Sequence, residues 1–340
     1  IVSSIFLGDV VPSSKLYEIV TEALNFEIPL KSVGNQKVLE LFHGPTLAFK
    51  DVGARFMARL MSYFVEGDNR ELTILVATSG DTGAAVANGF YNVPGIKVIV
   101  LYPSGKVSEL QEKQMTTLGG NIMALEVDGV FDDCQRLVKQ AFVDPDLRSG
   151  LRLSSANSIN IARLIPQSFY FFWTLAQLGP GSRPVISIPS GNFGNLTAGL
   201  IAKRMGLPVE RFIAATNVND VVPQYLNTNF YRPRPSIATI SNAMDVGDPS
   251  NFVRMLELYK ETDEMRVDVL GIKIGEQETR QTIAEVYQKT GYTLDPHGSV
   301  GYAALDKIVT GGVFFETAHP AKFKDVVERV TGQTVHIPDR

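Results

Sequence analysis

Lys50 stands in the segment His43-Gly-Pro-Thr-Leu-Ala-Phe-Lys50-Asp-Val-Gly-Ala-Arg55, behind small and turn-forming residues and ahead of an apolar run. Pro45 and Thr46 read as a helix start, and Phe49, Phe56, Met57 and Leu60 recur near helical spacing. Lys50 then falls in the first turns of a helix, where the macrodipole disfavours a cation. Helix propensity gives no reason for a lysine there, but chemistry does. An amine with a lowered pKa is a nucleophile that forms a Schiff base with an aldehyde. A lone lysine at such a place is ordinarily a snorkelling surface side chain, so the reading depends on what accompanies it.

Two glycine-rich loops accompany it. Leu72-Thr-Ile-Leu-Val-Ala77 runs into Thr78-Ser-Gly-Asp-Thr-Gly83 and a small-residue stretch, Ala84–Gly89. Pro184-Val-Ile-Ser-Ile188 runs into Pro189-Ser-Gly-Asn-Phe-Gly-Asn195 and then Leu196–Ala202. Each reads as strand, Ser-Gly-polar-X-Gly, helix. A glycine-rich turn that opens a helix presents backbone N–H groups and the positive end of the dipole, which suits a phosphate or a carboxylate. Singly, either loop is equally well a tight strand-to-helix turn. Neither is G-x-G-x-x-G or a phosphate loop ending in Gly-Lys-Ser/Thr, so dinucleotide and ATP binding are not supported.

The elements that must position these residues follow a β-α-β pattern. Strands are expected at Leu72–Ala77, Lys97–Leu101 and Ala124–Val127, with helices at Ala84–Tyr91, Ser108–Leu118 and Phe131–Phe142. A long aromatic-rich helix, Ile159–Leu178, comes next. It is followed by strand Val185–Ile188, helix Leu196–Met205 and strand Arg211–Ala215. Asn217–Asn251, rich in proline and asparagine, reads as an extended loop. Glu276–Thr290 and Ser299–Thr310 read as helices, Val313–Thr317 as a strand and Lys322–Thr331 as a last helix. This is an α/β chain of two open lobes with mainly parallel sheets, whose ligands are expected in a cleft at strand C-terminal ends.

Composition excludes other classes. The chain has 340 residues, 44% of them apolar, enough for a substantial core, and a net charge of −4. That charge leaves no footprint for nucleic acid or an anionic membrane. No apolar run reaches the length of a membrane span. A lone Cys134, in an amphipathic helical segment, precludes an internal disulfide and fits a reducing, cytoplasmic compartment. His43, His297, His319 and His336 show no metal spacing, so no metal is expected. The opening Ile1-Val-Ser-Ser-Ile-Phe reads as the middle of an element, and the chain is expected to be a fragment of a longer product.

Six segments together resemble the threonine synthases, in particular their longer bacterial and fungal branch. They are Leu41–Asp51, Ala77–Ala85, Ser154–Asn160, Pro189–Asn195, Ser241-Asn-Ala-Met-Asp245 and Thr317-Ala-His-Pro-Ala-Lys-Phe323. The resemblance runs from about Leu7 to the C-terminus. It implies the tryptophan-synthase-β-like pyridoxal-phosphate fold, with the cofactor in the interdomain cleft. Residues 1–50 and 165–340 would form the larger lobe and 51–164 the smaller. Lys50 matches the lysine that holds pyridoxal phosphate as a Schiff base, and Gly191, Asn192, Phe193, Gly194 and Asn195 match the loop around the cofactor phosphate. Thr317 matches the hydroxyl that faces the pyridine nitrogen. Ser79, Asp81, Thr82 and Gly83 match the loop around the substrate carboxylate. Many relatives have asparagine where Asp81 stands, although the longer branch shares the aspartate. Lys113, Ser158, Asn160 and Arg163 are similar to residues that hold the substrate phosphate.

The implied reaction converts O-phospho-L-homoserine and water to L-threonine and phosphate, in a chain that works as a monomer or dimer. Two other readings remain open at this point: a related pyridoxal-phosphate lyase or dehydratase, and a non-catalytic relative that keeps the fold. A hydrolase built on Ser190 lacks the G-x-S-x-G elbow and a histidine partner. His43, His297 and His319 are expected to shape turns or pack near the site, and Trp173 to lie in the core.

Overall fold

The computed structural model describes residues 1–338, and the chain divides into two units. The first comprises Ile1–Glu27 and Gly44–Pro166; the second comprises Ile28–His43 and the chain from Gln167 onward. In chain order the strands are β1 (Leu30–Val33), β2 (Gln36–Glu40), β3 (Leu72–Ala77), β4 (Ile96–Pro103), β5 (Ile122–Val127), β6 (Arg152–Ser155), β7 (Val185–Pro189), β8 (Arg211–Thr216), β9 (Val269–Lys273) and β10 (Val313–Glu316).

The first unit holds a four-stranded, wholly parallel sheet in the order β5-β4-β3-β6. All six residues of β3 are buried. Such a continuous apolar run is what a parallel strand needs when helices cover both faces. On one face, Ala54, Met57 and Ala58 of helix Lys50–Val65 and Ala84, Val86 and Phe90 of helix Asp81–Phe90 pack with Ile74, Val98 and Val100. On the other, Cys134 and Val138 of helix Phe131–Val143 meet Leu75 and Leu101. Burial pushes the Cys134 thiol up to about 11, so it remains protonated and serves as a packing group.

In the second unit the six strands run β1-β2-β10-β7-β8-β9. β1 and β2 form an antiparallel hairpin and every other pairing is parallel. Helices Gln167–Leu178 and Gly194–Arg204 pack together. Phe171 lies edge-on to Phe212 of β8 at 5.7 Å and tilted on Phe315 of β10 at 5.1 Å. Ile283, Val286, Val300, Ala304 and Leu305 form a second cluster with Val38, Ile213 and Phe314.

The parallel α/β architecture agrees with the sequence reading, and several elements differ from it. Residues 1–27 and 44–50 belong to the first unit, not to the larger lobe. Helix Ser13–Ala23 explains this: Arg55 donates to the carbonyls of Ala23 (2.9 Å) and Glu22 (2.8 Å) and to Asn25 Oδ1 (2.7 Å). The expected helix Ile159–Leu178 is two helices, Ile161–Leu164 and Gln167–Leu178, because Pro166 lacks an N–H and clashes with the preceding turn. The supposed loop Asn217–Asn251 contains helix Val221–Thr228, with Pro223 in its first turn and Asn229 ending it at φ 63°. Both residues are at home in those positions, although each reads as a loop marker in sequence. Trp173 is half exposed and donates Nε1–H to the Ile28 carbonyl.

Phe171→Ala should lower unfolding stability by about 3–5 kcal/mol, because the aromatic contacts vanish and a cavity remains. Denaturant titration of the two proteins measures this directly.

Candidate active site

The candidate residues lie where strands end. β3 leads into Thr78–Gly83, β7 into Ser190–Asn195, β10 into Thr317, and β2 into the chain that reaches Lys50. Within the first unit, helix Lys50–Val65 starts at Lys50 itself, not at Pro45. Leu47 adopts a left-handed conformation, φ 60°, which no helix continues and which is costly for a residue with a Cβ. Asp51, fully buried, holds this turn. Its Oδ2 accepts the Thr46 N–H at 2.9 Å and its Oδ1 accepts the Thr46 hydroxyl at 2.6 Å. Gln114 adds a bond to the Thr46 carbonyl at 3.3 Å. An acid in the first turn also complements the dipole. Lys50 follows directly, half-buried, with Nζ 4.5 Å from the Phe49 ring centroid.

The Thr78–Gly83 loop is closed from within. Thr78 Oγ1 accepts from the N–H groups of Gly80 (2.9 Å) and Gly83 (2.8 Å). Gly80 lies at φ 130°, and a Cβ there would come within 2.4 Å of the Gln111 amide, so only glycine fits. Gln111 is the residue that sequence reasoning missed. It closes a capping box with Ser108 and donates Nε2–H to Asp81 Oδ1 at 2.9 Å. The Asp81 carboxylate, within the loop, thus has a structural partner. Ser79 and Thr82 are half-buried and Gly83 buried. Asn157 pairs with both backbone groups of Ala77, at 3.2 and 2.8 Å, and ties this loop to the 155–160 turn.

The four residues expected at a substrate phosphate have different surroundings. Lys113 is 64% exposed and pairs with Glu109 at 2.5 Å. Asn160 caps helix Ile161–Leu164 through Ala162 N–H (3.0 Å) and donates to the Ser155 carbonyl (2.9 Å). Ser158 is half-buried on the turn between them. Arg163 is not a solvated cation: it is 1% exposed, donates to the Ala156 carbonyl and packs against Gly53. Burial pushes its guanidinium down to about 10, against the pull of the Asp51 charge.

In the second unit, the Ser190–Asn195 loop ends in helix Gly194–Arg204, with Phe193 as N-cap at φ 60°. A buried phenylalanine in that conformation is a strained residue, of the kind that gathers at ligand sites. Asn195 is engaged by Ser190 Oγ–H (2.9 Å), by the Pro189 carbonyl (2.9 Å) and by Leu196 N–H (2.9 Å). Asn192 Oδ1 accepts from Ser250 N–H at 2.6 Å. The loop's side chains thus shape it, and the first-turn N–H groups and the dipole are what it offers an anion. Thr317 follows β10, is 5% exposed, and its hydroxyl has no hydrogen-bond partner among the described residues. A group that needs a phosphate cradle of backbone N–H donors and a neutral hydroxyl fits this unit. His319 caps the Pro320–Phe323 turn by accepting Ala321 N–H at 3.1 Å. Glu40 accepts from His43 (2.7 Å), Lys31 (2.9 Å) and the Tyr292 hydroxyl (2.9 Å). Burial opposes its ionisation, yet these three bonds outweigh burial and hold its carboxyl below the usual range.

Among the described residues no cluster of His, Cys, Asp and Glu forms a metal site, and no helix is long and apolar enough to cross a membrane. The family model of pyridoxal-phosphate dependent enzymes matches residues 38–314. The chain belongs to that family, and pyridoxal phosphate is its cofactor. It is 51% identical to the threonine synthase of Escherichia coli strain K12, over 98% of this chain and 79% of that one. Its fold superposes on the crystal structure of the E. coli threonine synthase with a TM-score of 0.93, at 50% identity, covering 99% of this chain and 79% of that one. The pyridoxal-phosphate-bound threonine synthase of Brucella melitensis gives 0.92 at 38% identity, covering 98% and 80%. Within its family the chain is thus a threonine synthase, a pyridoxal-phosphate-dependent lyase.

Asp51→Ala should cost about 2–4 kcal/mol, since both Thr46 donors lose a buried acceptor; denaturant titration reports it. For Glu40 the folded pKa is depressed, so its stabilisation is present above the unfolded value, near 4.3, and lost as pH falls through the folded one. The stability gap between wild type and Glu40→Gln should therefore be full at pH 7 and close below about pH 4. A gap constant from pH 7 to 3 would contradict the assignment.

Proposed function

We propose that the enzyme acts on O-phospho-L-homoserine and water, releasing L-threonine and phosphate, with Lys50 as the Schiff-base and proton-shuttling amine. The carrying observation is the pinned left-handed turn that brings Lys50 to the first position of a helix, in a chain at this level of identity to threonine synthases. The Ser190–Asn195 loop binds the cofactor phosphate through backbone N–H groups, and the Thr317 hydroxyl takes the pyridine nitrogen. A neutral hydroxyl does not force that nitrogen to be protonated, as a carboxylate would. When bound, the cofactor supplies an electron sink for the substrate's Cα and Cβ.

Lys50 Nζ, once freed by the substrate amine, would take protons from Cα and then Cβ; phosphate would leave from Cγ with the electron pair so released, and Cγ would regain one proton. Water would then add across the Cα–Cβ bond, its hydroxyl to Cβ and a proton to Cα, the remaining proton leaving with phosphate. The backbone N–H groups of Ser79–Gly83 hold the substrate carboxylate, while Asp81 fixes the loop through Gln111. Ser158 carries the half-buried hydroxyl assigned to the substrate phosphate. Asn160 and buried Arg163 brace its turn, and exposed Lys113 is the outlying member of the set. Cytoplasmic residence is supported by a single, buried cysteine.

Wild-type holoenzyme given O-phosphohomoserine should release phosphate and threonine in equal amounts. Lys50→Ala should lose at least about a thousandfold in turnover with an unchanged far-ultraviolet spectrum. Phosphate with a keto acid in place of threonine would overturn the substrate and product assignment; an active Lys50→Ala would overturn the role of the lysine.

A further inference from the structure

The segment Ser241–Asp245 lies directly behind the phosphate-loop glycine. A Cβ on Gly191 would approach Met244 Cα to 2.6 Å and the Ala243 carbonyl to 3.0 Å. The position of this segment therefore sets how far the loop can retreat. The segment's ends are held by Asn217, which donates to Ser241 Oγ at 3.1 Å and Asp245 Oδ1 at 2.8 Å, and by Thr239, which donates to Asp245 Oδ1 at 2.7 Å. At its middle, next to Met244, the Ala243 N–H donates to His297 Nε2 at 3.2 Å. Because the backbone group only donates, Nε2 carries the lone pair and Nδ1 carries the proton. That proton goes to Asp295 Oδ2 at 2.5 Å.

Asp295 fixes the ring in turn. It caps helix Pro296–Asp306 through Gly298 N–H at 2.7 Å, and its own N–H donates to Glu316 Oε1 at 2.6 Å. Glu316 immediately precedes Thr317. His297, Asp295 and Glu316 are all nearly or wholly buried, at 2%, 0% and 0% exposure. Phe323 packs on the imidazole at 4.8 Å between ring centroids. One continuous chain of hydrogen bonds thus runs from the residue beside Thr317, through Asp295 and His297, to the backbone that supports Gly191.

We propose that His297 is a positioning residue: as a neutral acceptor held by Asp295, it sets the phosphate loop at a fixed height relative to Thr317. The proposal rests on the assignment of residues 191–195 to the cofactor phosphate. His297 touches no reacting atom, and its effect reaches the cofactor only through the 241–245 backbone.

The test uses apoprotein titrated with pyridoxal phosphate, followed by fluorescence quenching and by 31P NMR of the bound phosphate. His297→Gln keeps an acceptor that reaches Ala243 N–H; His297→Leu and His297→Asn do not. His297→Leu should raise the dissociation constant about tenfold or more, the effect of one buried hydrogen bond, and shift the 31P resonance. His297→Gln should remain within about threefold of wild type, and the visible Schiff-base band should persist in both, since Lys50 is untouched. If His297→Leu does not fold, His297→Asn provides the same comparison. Wild-type affinity and 31P position in the Leu or Asn variant would overturn the proposal, as would equal losses in Gln and Leu. Gly191→Ala separates the two levels: if it too leaves affinity and resonance unchanged, the phosphate-loop assignment itself fails.

Discussion

The buried carboxylate of Asp51 is the constraint on which the placement of Lys50, the proposed reactive lysine, depends. Leu47 must turn left-handed for the chain to reach the helix start at Lys50, at a cost of about 1–2 kcal/mol. Asp51 offsets that cost with two bonds to Thr46, one of them short, while the buried Leu47 side chain adds apolar contact. The lysine is thus placed by its neighbour in sequence. Arg163, the buried cation whose charge Asp51 feels, draws the 156–163 turn into the same arrangement.

The two glycine-rich loops proposed to bind anions share a grammar of residues and differ in how they are braced. In the first, a threonine hydroxyl gathers the loop N–H groups and a glutamine from another helix occupies the space a Cβ would need. In the second, an asparagine turns inward to bond its own strand end, and a phenylalanine takes the left-handed position glycine would otherwise fill. Both solutions spend side chains on shape and leave backbone N–H groups and helix dipoles to meet charge. This division suits ligands with several anionic oxygens, because backbone donors have fixed directions and no rotamer entropy to lose.

Much of this was legible in the sequence, for local reasons. Apolar runs ending in Ser-Gly loops located β3 and β7 at the right residues, since strand burial and glycine punctuation are short-range signals. What escaped depended on distant partners. The Leu47 turn cannot be read without Asp51, nor the anchoring of Asp81 without Gln111, thirty residues away. Arg163 is matched in sequence to the substrate phosphate, and only the tertiary fold shows that it is buried against Gly53. Pro223 and Asn229 read as loop residues in sequence because their loop meaning is commoner than their roles at helix ends. The antiparallel hairpin of β1 and β2, joined through Gly34 at φ 57°, was passed over because four- and five-residue strands carry little periodicity.

The central claim, that this turn delivers Lys50 to the cofactor, is tested most directly by trapping. Holoenzyme reduced with borohydride, digested and mapped by mass spectrometry should carry the pyridoxyl group on Lys50. A stoichiometric adduct on any other lysine, with Lys50 unmodified, would contradict the account.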